Sequence, residues 1–282
     1  MKQIIRNSAS RVLMALLGRR NVVRIARALS MEARYDVANK IAENGERMVQ
    51  EVSLSIARET DASERNFVDA GANVGHWSLS LLELARSAEM EVRVFAFEPS
   101  THTFGRLQRS LEQFARTNLH PVNAALSDKD GTATLHIVGA AAGTNSLHAQ
   151  PHMHVTETEV IPCTTLDGFA GTHAMSRIVL LKIDTEGHEM SVLRGAERLL
   201  ARGAIDLVQF EYNHRWISSR HYLRDAFEYL QPFGYSLGKI TPHGIEFYAD
   251  WHHELETWYE SNFLACRTPL RQRFPQVQWW NA

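Results

Sequence analysis

Asn66-Phe67-Val68-Asp69-Ala70-Gly71-Ala72-Asn73-Val74-Gly75, running directly into His76-Trp77-Ser78-Leu79, is the stretch on which the fold turns. Phe67 to Ala70 is the short apolar run of a buried strand, and Trp77 to Ala85 has helical spacing. The D-x-G-x-N-x-G sequence between them therefore joins a strand to a helix. Gly71 lets the backbone turn, Gly75 permits close approach at the helix start, and the helix N-terminus offers free N–H groups to a polar ligand. An ordinary tight turn would use the same residues, so the loop takes its meaning from its surroundings. A nicotinamide-binding loop would read G-x-G-x-x-G to hold a pyrophosphate. That spacing is absent here, which favours a nucleoside ligand without a pyrophosphate.

Outward from this loop, strand and helix patterns alternate. Val92 to Phe97 is a second strand ending at Glu98-Pro99, and Phe104, Leu107, Leu111 and Phe114 mark one helix face. His120 to Leu126 reads as a third strand, Ile178 to Ile183 as a fourth and Asp206 to Glu211 as a fifth, with helices over Met190–Leu200 and Tyr222–Leu230. The alternation predicts a doubly wound α/β fold with a mainly parallel sheet. Two places depart from it. Thr132 to Val138 alternates after the Asp130-Gly131 turn, as an added strand or hairpin would, and Tyr235 to Tyr248 reads as two strands joined around Thr241-Pro242-His243-Gly244. Gly139 to Thr158 is the least regular part and suggests an active-site loop. Arg11 to about Arg58 has helical spacing throughout, and the polar stretch Thr60 to Arg65 is the one plausible joint. The expected division is an N-terminal helical extension over 1–62 and the α/β domain over 63–282.

With 44% hydrophobic and 22% charged residues in 282, the chain can bury a full core and is not a disordered one. A formal net charge of -2 supplies no global field to recruit nucleic acid. The charge is uneven, however. Lys2, Arg6, Arg11, Arg19, Arg20, Arg24 and Arg27 all precede the first acid, Glu32, so this segment can meet an anionic membrane surface or acidic partner, or simply form a solvated helix face. No run approaches the roughly 20 apolar residues of a membrane span. Cys163 and Cys266 match no metal or redox spacing, and a reduced, cytoplasmic protein is expected, with both thiols used in packing.

Glu98 at the end of the second strand stands where a carboxylate can accept hydrogen bonds from ribose hydroxyls. Read alone it is a surface acid before a proline; read with the Asp69 loop it belongs to a nucleoside site. The order of four segments, Asp69–Gly75, Phe97-Glu98-Pro99, Asn123-Ala124-Ala125-Leu126-Ser127-Asp128 and Leu181-Lys182-Ile183-Asp184-Thr185-Glu186-Gly187-His188-Glu189, resembles the successive motifs of FkbM-type methyltransferases. The resemblance covers about Asn66 to Tyr248. It implies a seven-stranded, Rossmann-like class I methyltransferase sheet with S-adenosylmethionine across the strand ends. On that resemblance Asp69, Gly71, Ala72, Asn73 and Gly75 would surround the methionine part of the cofactor, and Glu98, with Pro99 beside it, would hold the ribose. Asn123, Ala124 and Ala125 would border the adenine, and Asp184 would sit beside the sulfonium.

The activity so implied is O-methylation of a hydroxyl on a glycan, lipid-linked sugar or secondary metabolite; the rival is a noncatalytic methyltransferase-like interaction domain. A protonated hydroxyl is a poor nucleophile, so a general base is expected within hydrogen-bond reach. Asp184, Glu186, His188, Glu211 and His214 are the candidates for the catalytic pocket, with Asp184 alternatively capping the following helix and Glu211 alternatively paired with Arg215. Asp184, Glu186, Glu211 and His214 are also ligand types that suit Mg²⁺ or Mn²⁺, but no spacing specific to a metal appears and none is assigned. Thr144, Asn145, Ser146, His148, His152 and His154 are expected either to cover the acceptor or to face solvent. Trp251, Trp258, Tyr259, Trp279 and Trp280 suit carbohydrate stacking, a subunit contact or core packing.

Overall fold

The computed structural model describes residues 2–36, 40–112, 118–139, 145–150 and 153–278. Val37, Phe114, Thr144, His152, Trp279 and Trp280 lie outside them. The strands are β1 (Asn66–Ala70), β2 (Arg93–Phe97), β3 (Leu119–Val122), β4 (Ala125–Leu126), β5 (Gly131–Ile137), β6 (Glu157–Thr164), β7 (Ile178–Ile183), β8 (Ile205–Tyr212), β9 (Tyr235–Thr241), β10 (Gly244–Tyr248) and β11 (Ser261–Arg267). The helices that matter here are α1 (Lys2–Leu17), α2 (Arg19–Ala33), α3 (Glu46–Arg58), α4 (His76–Ser87), α5 (Thr101–Glu112), α6 (Leu166–Thr172) and α7 (Glu189–Arg194).

The main sheet has the order β10-β9-β11-β8-β7-β1-β2-β3. Strands β3, β2, β1, β7 and β8 run parallel, β11 is antiparallel to both β8 and β9, and β10 folds back on β9 as a hairpin. This is the expected doubly wound, mainly parallel sheet, with eight strands rather than seven because β10 extends the edge. The parallel strands read as continuous apolar runs because both faces are covered. Val68, Phe95, Phe97, Leu181, Val208 and Phe210 face one core cluster with Leu166 of α6 and Val192 of α7. Their neighbours Phe67, Val94, Ala96, Leu180 and Leu207 face the other, with Val49 and Ile56 of α3, Leu81 of α4 and Leu107 of α5. Period-two alternation thus sorts each strand's side chains between the two layers.

Helix α3 therefore belongs to the packed body, whereas no residue of α1 or α2 joins either cluster among the described residues. No described helix is long and apolar enough to cross a membrane. The expected third strand over 120–126 is two strands in two sheets. Asn123 interrupts it, its Nδ2 donating to the carbonyls of Glu98 at 2.9 Å and Pro99 at 3.0 Å. Beyond that break β4, β6 and β5 form a small second sheet around Leu135, Ile161 and Cys163. The irregular segment from Gly139 ends earlier than expected, since β6 begins at Glu157 and pairs antiparallel with β5. Both cysteines are free and buried.

Candidate active site

The C-terminal ends of β1, β2, β7 and β8 open into a cavity of about 530 Å³. Gly71, Ala72 and Asn73 of the loop after β1 line it, with Glu98 and Pro99 after β2 and Ala124 and Ala125 after β3. Gly71 has a φ of 83°, and a Cβ there would lie 1.9 Å from the Asp184 carbonyl oxygen, so only glycine lets the loop rest on the end of β7. Glu98 is anchored at both oxygens: the Asn73 N–H donates to Oε2 and the Ser100 N–H to Oε1, each at 3.0 Å. Burial pushes its carboxyl up to about 7 against the pull of those two donors.

Asp69 does not reach the cavity. It is fully buried behind the loop, where Oδ2 accepts from Ser78 Oγ at 2.7 Å and Oδ1 lies 3.7 Å from Lys182 Nζ. Lys182, on β7, also donates to Asp184 Oδ2 at 3.0 Å. Burial alone would lower its ammonium pKa, but Asp184, Asp69 and Glu46 overcome that and hold it above its ordinary value. Glu46, at the start of α3, lines the same cavity; it accepts from Asn44 Nδ2 at 2.5 Å and from Gln209 Nε2 of β8 at 2.6 Å. Lys182 and Glu46 both escaped the sequence reading as site residues. Lys182 was hidden inside an otherwise apolar strand, and Glu46 inside a helical pattern with no motif of its own.

At the other end Asp184, Glu186 and Glu211 converge, with carboxylate oxygens within 4.8 Å of one another. This donor set can hold a divalent cation or the hydroxyls of a polyol. Glu186 has a φ of 59°, a left-handed conformation that costs energy for a residue with a Cβ and sits in the turn leading to Gly187. Its Oε2 lies 2.6 Å from Arg215 Nη1, a close ion pair without hydrogen-bond alignment. Burial and the Asp184 charge push the Glu186 carboxyl up to about 9, with Arg215 opposing. Glu211 is raised by burial and then by Asp184 and Glu186; its Oε2 accepts from Asn213 Nδ2 at 2.5 Å. The Arg215 partner is thus Glu186 and not Glu211. Asp184 does not cap α7 either: that helix has no side-chain cap, and Asp184 accepts from Lys182, while Glu189 Oε1 takes the N–H groups of Thr185 and Gly187 in the turn before it, at 3.0 and 3.1 Å.

His188 lines the cavity with both ring nitrogens engaged. Nδ1 lies 3.1 Å from His148 Nε2, and Nε2 lies 3.0 Å from Ser127 Oγ, which in turn donates to Asp128 at 3.1 Å. Burial, then His148, drives its pKa down to about 4, so it is neutral. In this arrangement it fixes the rim and presents no spare nitrogen to a substrate. Ser146 of the irregular segment supports the same rim by donating to the Glu186 carbonyl at 2.7 Å, and Asn145 lines the cavity. His214 is exposed and is not among the lining residues, because the chain turns at Asn213, whose Oδ1 accepts the Arg215 N–H, and brings Arg215 inward. Gly75 and Asn123 shape the wall from behind: a Cβ on Gly75 would lie 2.7 Å from Leu107 Cδ1. Trp77, Glu260 and Asn262 are further lining residues with no sequence signal. Trp251 and Trp258 pack instead of forming an open platform, Trp251 donating to Glu256 at 2.8 Å and Trp258 lying 5.6 Å from the Tyr212 ring.

A parallel doubly wound sheet continued by an antiparallel strand, with a glycine loop after β1 and an acid after β2, defines the class I methyltransferase-like fold. The chain belongs to the methyltransferase FkbM domain family, whose family model matches residues 69–237. It is 29% identical over 147 residues to Methyltransferase 1 of Beauveria bassiana, covering 46% of this chain and 57% of that protein. It is 28% identical over 157 residues to the hexuronic acid methyltransferase AglP of Haloferax volcanii, covering 55% of this chain and 58% of that one. The matches thus span less than two thirds of the length of these relatives. Among solved structures, the methyltransferase FkbM of Methylobacillus flagellatus aligns over 72% of this chain and 44% of its own, with 18% identity and a TM-score of 0.47.

Proposed function

We propose that this methyltransferase uses S-adenosylmethionine to methylate a hydroxyl oxygen of a glycan, lipid-linked sugar or secondary metabolite. The observation that carries the reading is the convergence of Asp184, Glu186 and Glu211 at one end of a cavity whose other end holds Glu98. Carboxylates accept hydrogen bonds from hydroxyls, so the acidic end suits a polyol, and a sugar derivative is the kind of acceptor named for one relative.

The residues present fit the cofactor. Gly71 lets the loop backbone rest against the Asp184 carbonyl and so form the cavity wall, and Glu98 keeps lone pairs beyond the two it gives to backbone N–H groups. The indole N–H of Trp77, a lining residue, is buried without a hydrogen-bond partner among the described residues. When bound, S-adenosylmethionine supplies an electrophilic methyl group. The chain's part is to orient the acceptor hydroxyl and take its proton, and most of the gain comes from positioning. Glu211 or Glu186 holds that proton at a carboxylate oxygen; a positive charge nearby favours their ionised, basic forms.

The test is incubation with S-adenosylmethionine and a panel of sugars, sugar acids and lipid-linked sugars, beside amine and carboxylate controls, reading S-adenosylhomocysteine release and the site of the new methyl. Ethers formed on hydroxyl acceptors are expected. Methyl found on nitrogen would overturn the O-methyl assignment, and methyl found as an ester on a carboxylate would overturn the assignment to a hydroxyl. A protein that binds S-adenosylhomocysteine yet turns over nothing would favour the noncatalytic alternative.

A further inference from the structure

Helices α1 and α2 follow each other through Gly18 and stand apart from both cores. Eight of the twelve large hydrophobic side chains exposed among the described residues lie on these two helices, including Leu16 at 76%, Val23 at 66% and Leu29 at 66% exposure. On α2, Val22, Ile25, Ala26 and Leu29 recur at i, i+3, i+4 and i+7, while Arg20, Arg24 and Arg27 occupy i, i+4 and i+7 of another face. Arg11, Arg19, Arg20, Arg24 and Arg27 meet no acid before Glu32, although the whole chain is slightly acidic. Exposed apolar stripes alone fit several occupants, but a regular cationic face beside them selects an anionic one. Two copies of this chain paired through the apolar stripe would leave the arginine face without a counter-charge. A bilayer surface accepts both features, burying the apolar face at the acyl boundary and leaving the Arg20 and Arg24 guanidinium groups among headgroups.

The segment is not a loose tail at its root. Arg27 stacks over the Tyr259 ring at 4.8 Å to the centroid, and Lys239 Nζ binds both the Asp36 carboxylate and the Arg34 carbonyl. Tyr259 immediately precedes Glu260 of the cavity rim.

We propose that α1 and α2 form a docking surface for an anionic membrane, which holds the cavity rim at the lipid headgroups. Membrane binding stands on the surface alone; the consequence that the acceptor is lipid-linked rests on the function proposed above. The experiment is flotation of the full chain with phosphatidylcholine vesicles containing or lacking phosphatidylglycerol, without cofactor or acceptor, so that failure to bind membrane is distinct from failure to methylate. Binding only to the anionic vesicles, weakening as salt rises, is expected. The double variants Arg20→Glu/Arg24→Glu and Leu16→Glu/Leu29→Glu, all at exposed positions, should each weaken partitioning about tenfold or more while leaving thermal unfolding of the body unchanged. No binding to anionic vesicles, or binding by both variants as strong as that of the wild type, would overturn the proposal. So would a dimer that the same substitutions dissociate, which would assign the surface to a second copy.

Discussion

The two ends of the cavity are built on opposite electrostatic principles. Around Glu98 and Asp69 every acid has a partner made by the fold: two backbone N–H groups for Glu98, and Ser78 with Lys182 for Asp69. Around Glu186 and Glu211 three carboxylates crowd together, Arg215 contacting Glu186 and Lys182 contacting Asp184, and the Asp184 charge adds to burial in raising both glutamate carboxyls. The first end is complete before a ligand arrives. The second is a set of carboxyls whose charge state a ligand can change, the property that the proposed acid–base role needs.

If that contrast is functional, the largest effect belongs to the crowded end. Glu211→Gln keeps the shape and the Asn213 contact but removes the basic oxygen, and should lower kcat by about 10²–10⁴ with thermal stability retained or increased. Steady-state kinetics beside a melting curve checks this, and full activity would move the base to Glu186 or Asp184. Next comes the completed end. Lys182→Met strands Asp69, which is fully buried, and should cost about 3–5 kcal/mol in denaturant unfolding. A small loss there would mean that Asp69 is neutral in the folded state.

Glu98→Ala sharpens the same distinction at lower cost to the fold, weakening S-adenosylhomocysteine binding by about tenfold or more in calorimetry. The wild-type affinity should also fall as pH drops through about 7, where the Glu98 carboxylate takes up a proton. An unchanged affinity in the variant would remove Glu98 from the cofactor site.

How legible each end was follows from the same physics. The completed end is made by backbone turns, and turns leave signatures: Asp69 to Gly75 and Glu98-Pro99 stand where one residue type is required. The crowded end is made by tertiary approach. Gln209 and Glu211 share a face of β8 by the period of two, which is readable, but that Glu46 of α3 meets Gln209 depends on helix packing across 163 residues. Nearness in sequence offers Arg215 as one of two readings of Glu211, and the turn at Asn213 sends it to Glu186 instead. Strand β11 was unreadable for another reason: buried between β8 and β9, Phe263-Leu264-Ala265-Cys266 has no alternation to distinguish it from a short helix. The polar Asn262 that it contributes to the cavity went unseen with it.

The smallest predicted effect tests whether the crowding is real in solution. Burial raises Glu98 and Glu189 to about 7 and Glu186 to about 9, each above the ordinary value of 4.5. A carboxyl whose pKa is higher in the folded state binds its proton more tightly there, so its contribution to stability is full below pH 4.5 and is lost as pH rises through the folded value. His188 acts in the opposite sense: its folded pKa of about 4 lies below 6.5, so stability falls as pH drops from 6.5 to 4. The ligand-free protein should therefore lose stability on the alkaline side well before lysines titrate, and above pH 7 the decline belongs to the neighbouring Glu186 and Glu211 carboxyls. Glu186→Gln should flatten that limb, removing at most about 1.4 kcal/mol per pH unit, while leaving the acid limb of His188 in place. Chemical denaturation at each pH resolves the two limbs. Parallel curves for wild type and variant from pH 7 to 9 would mean that Arg215 keeps Glu186 ionised, and the contrast between the two ends would then reduce to Glu211.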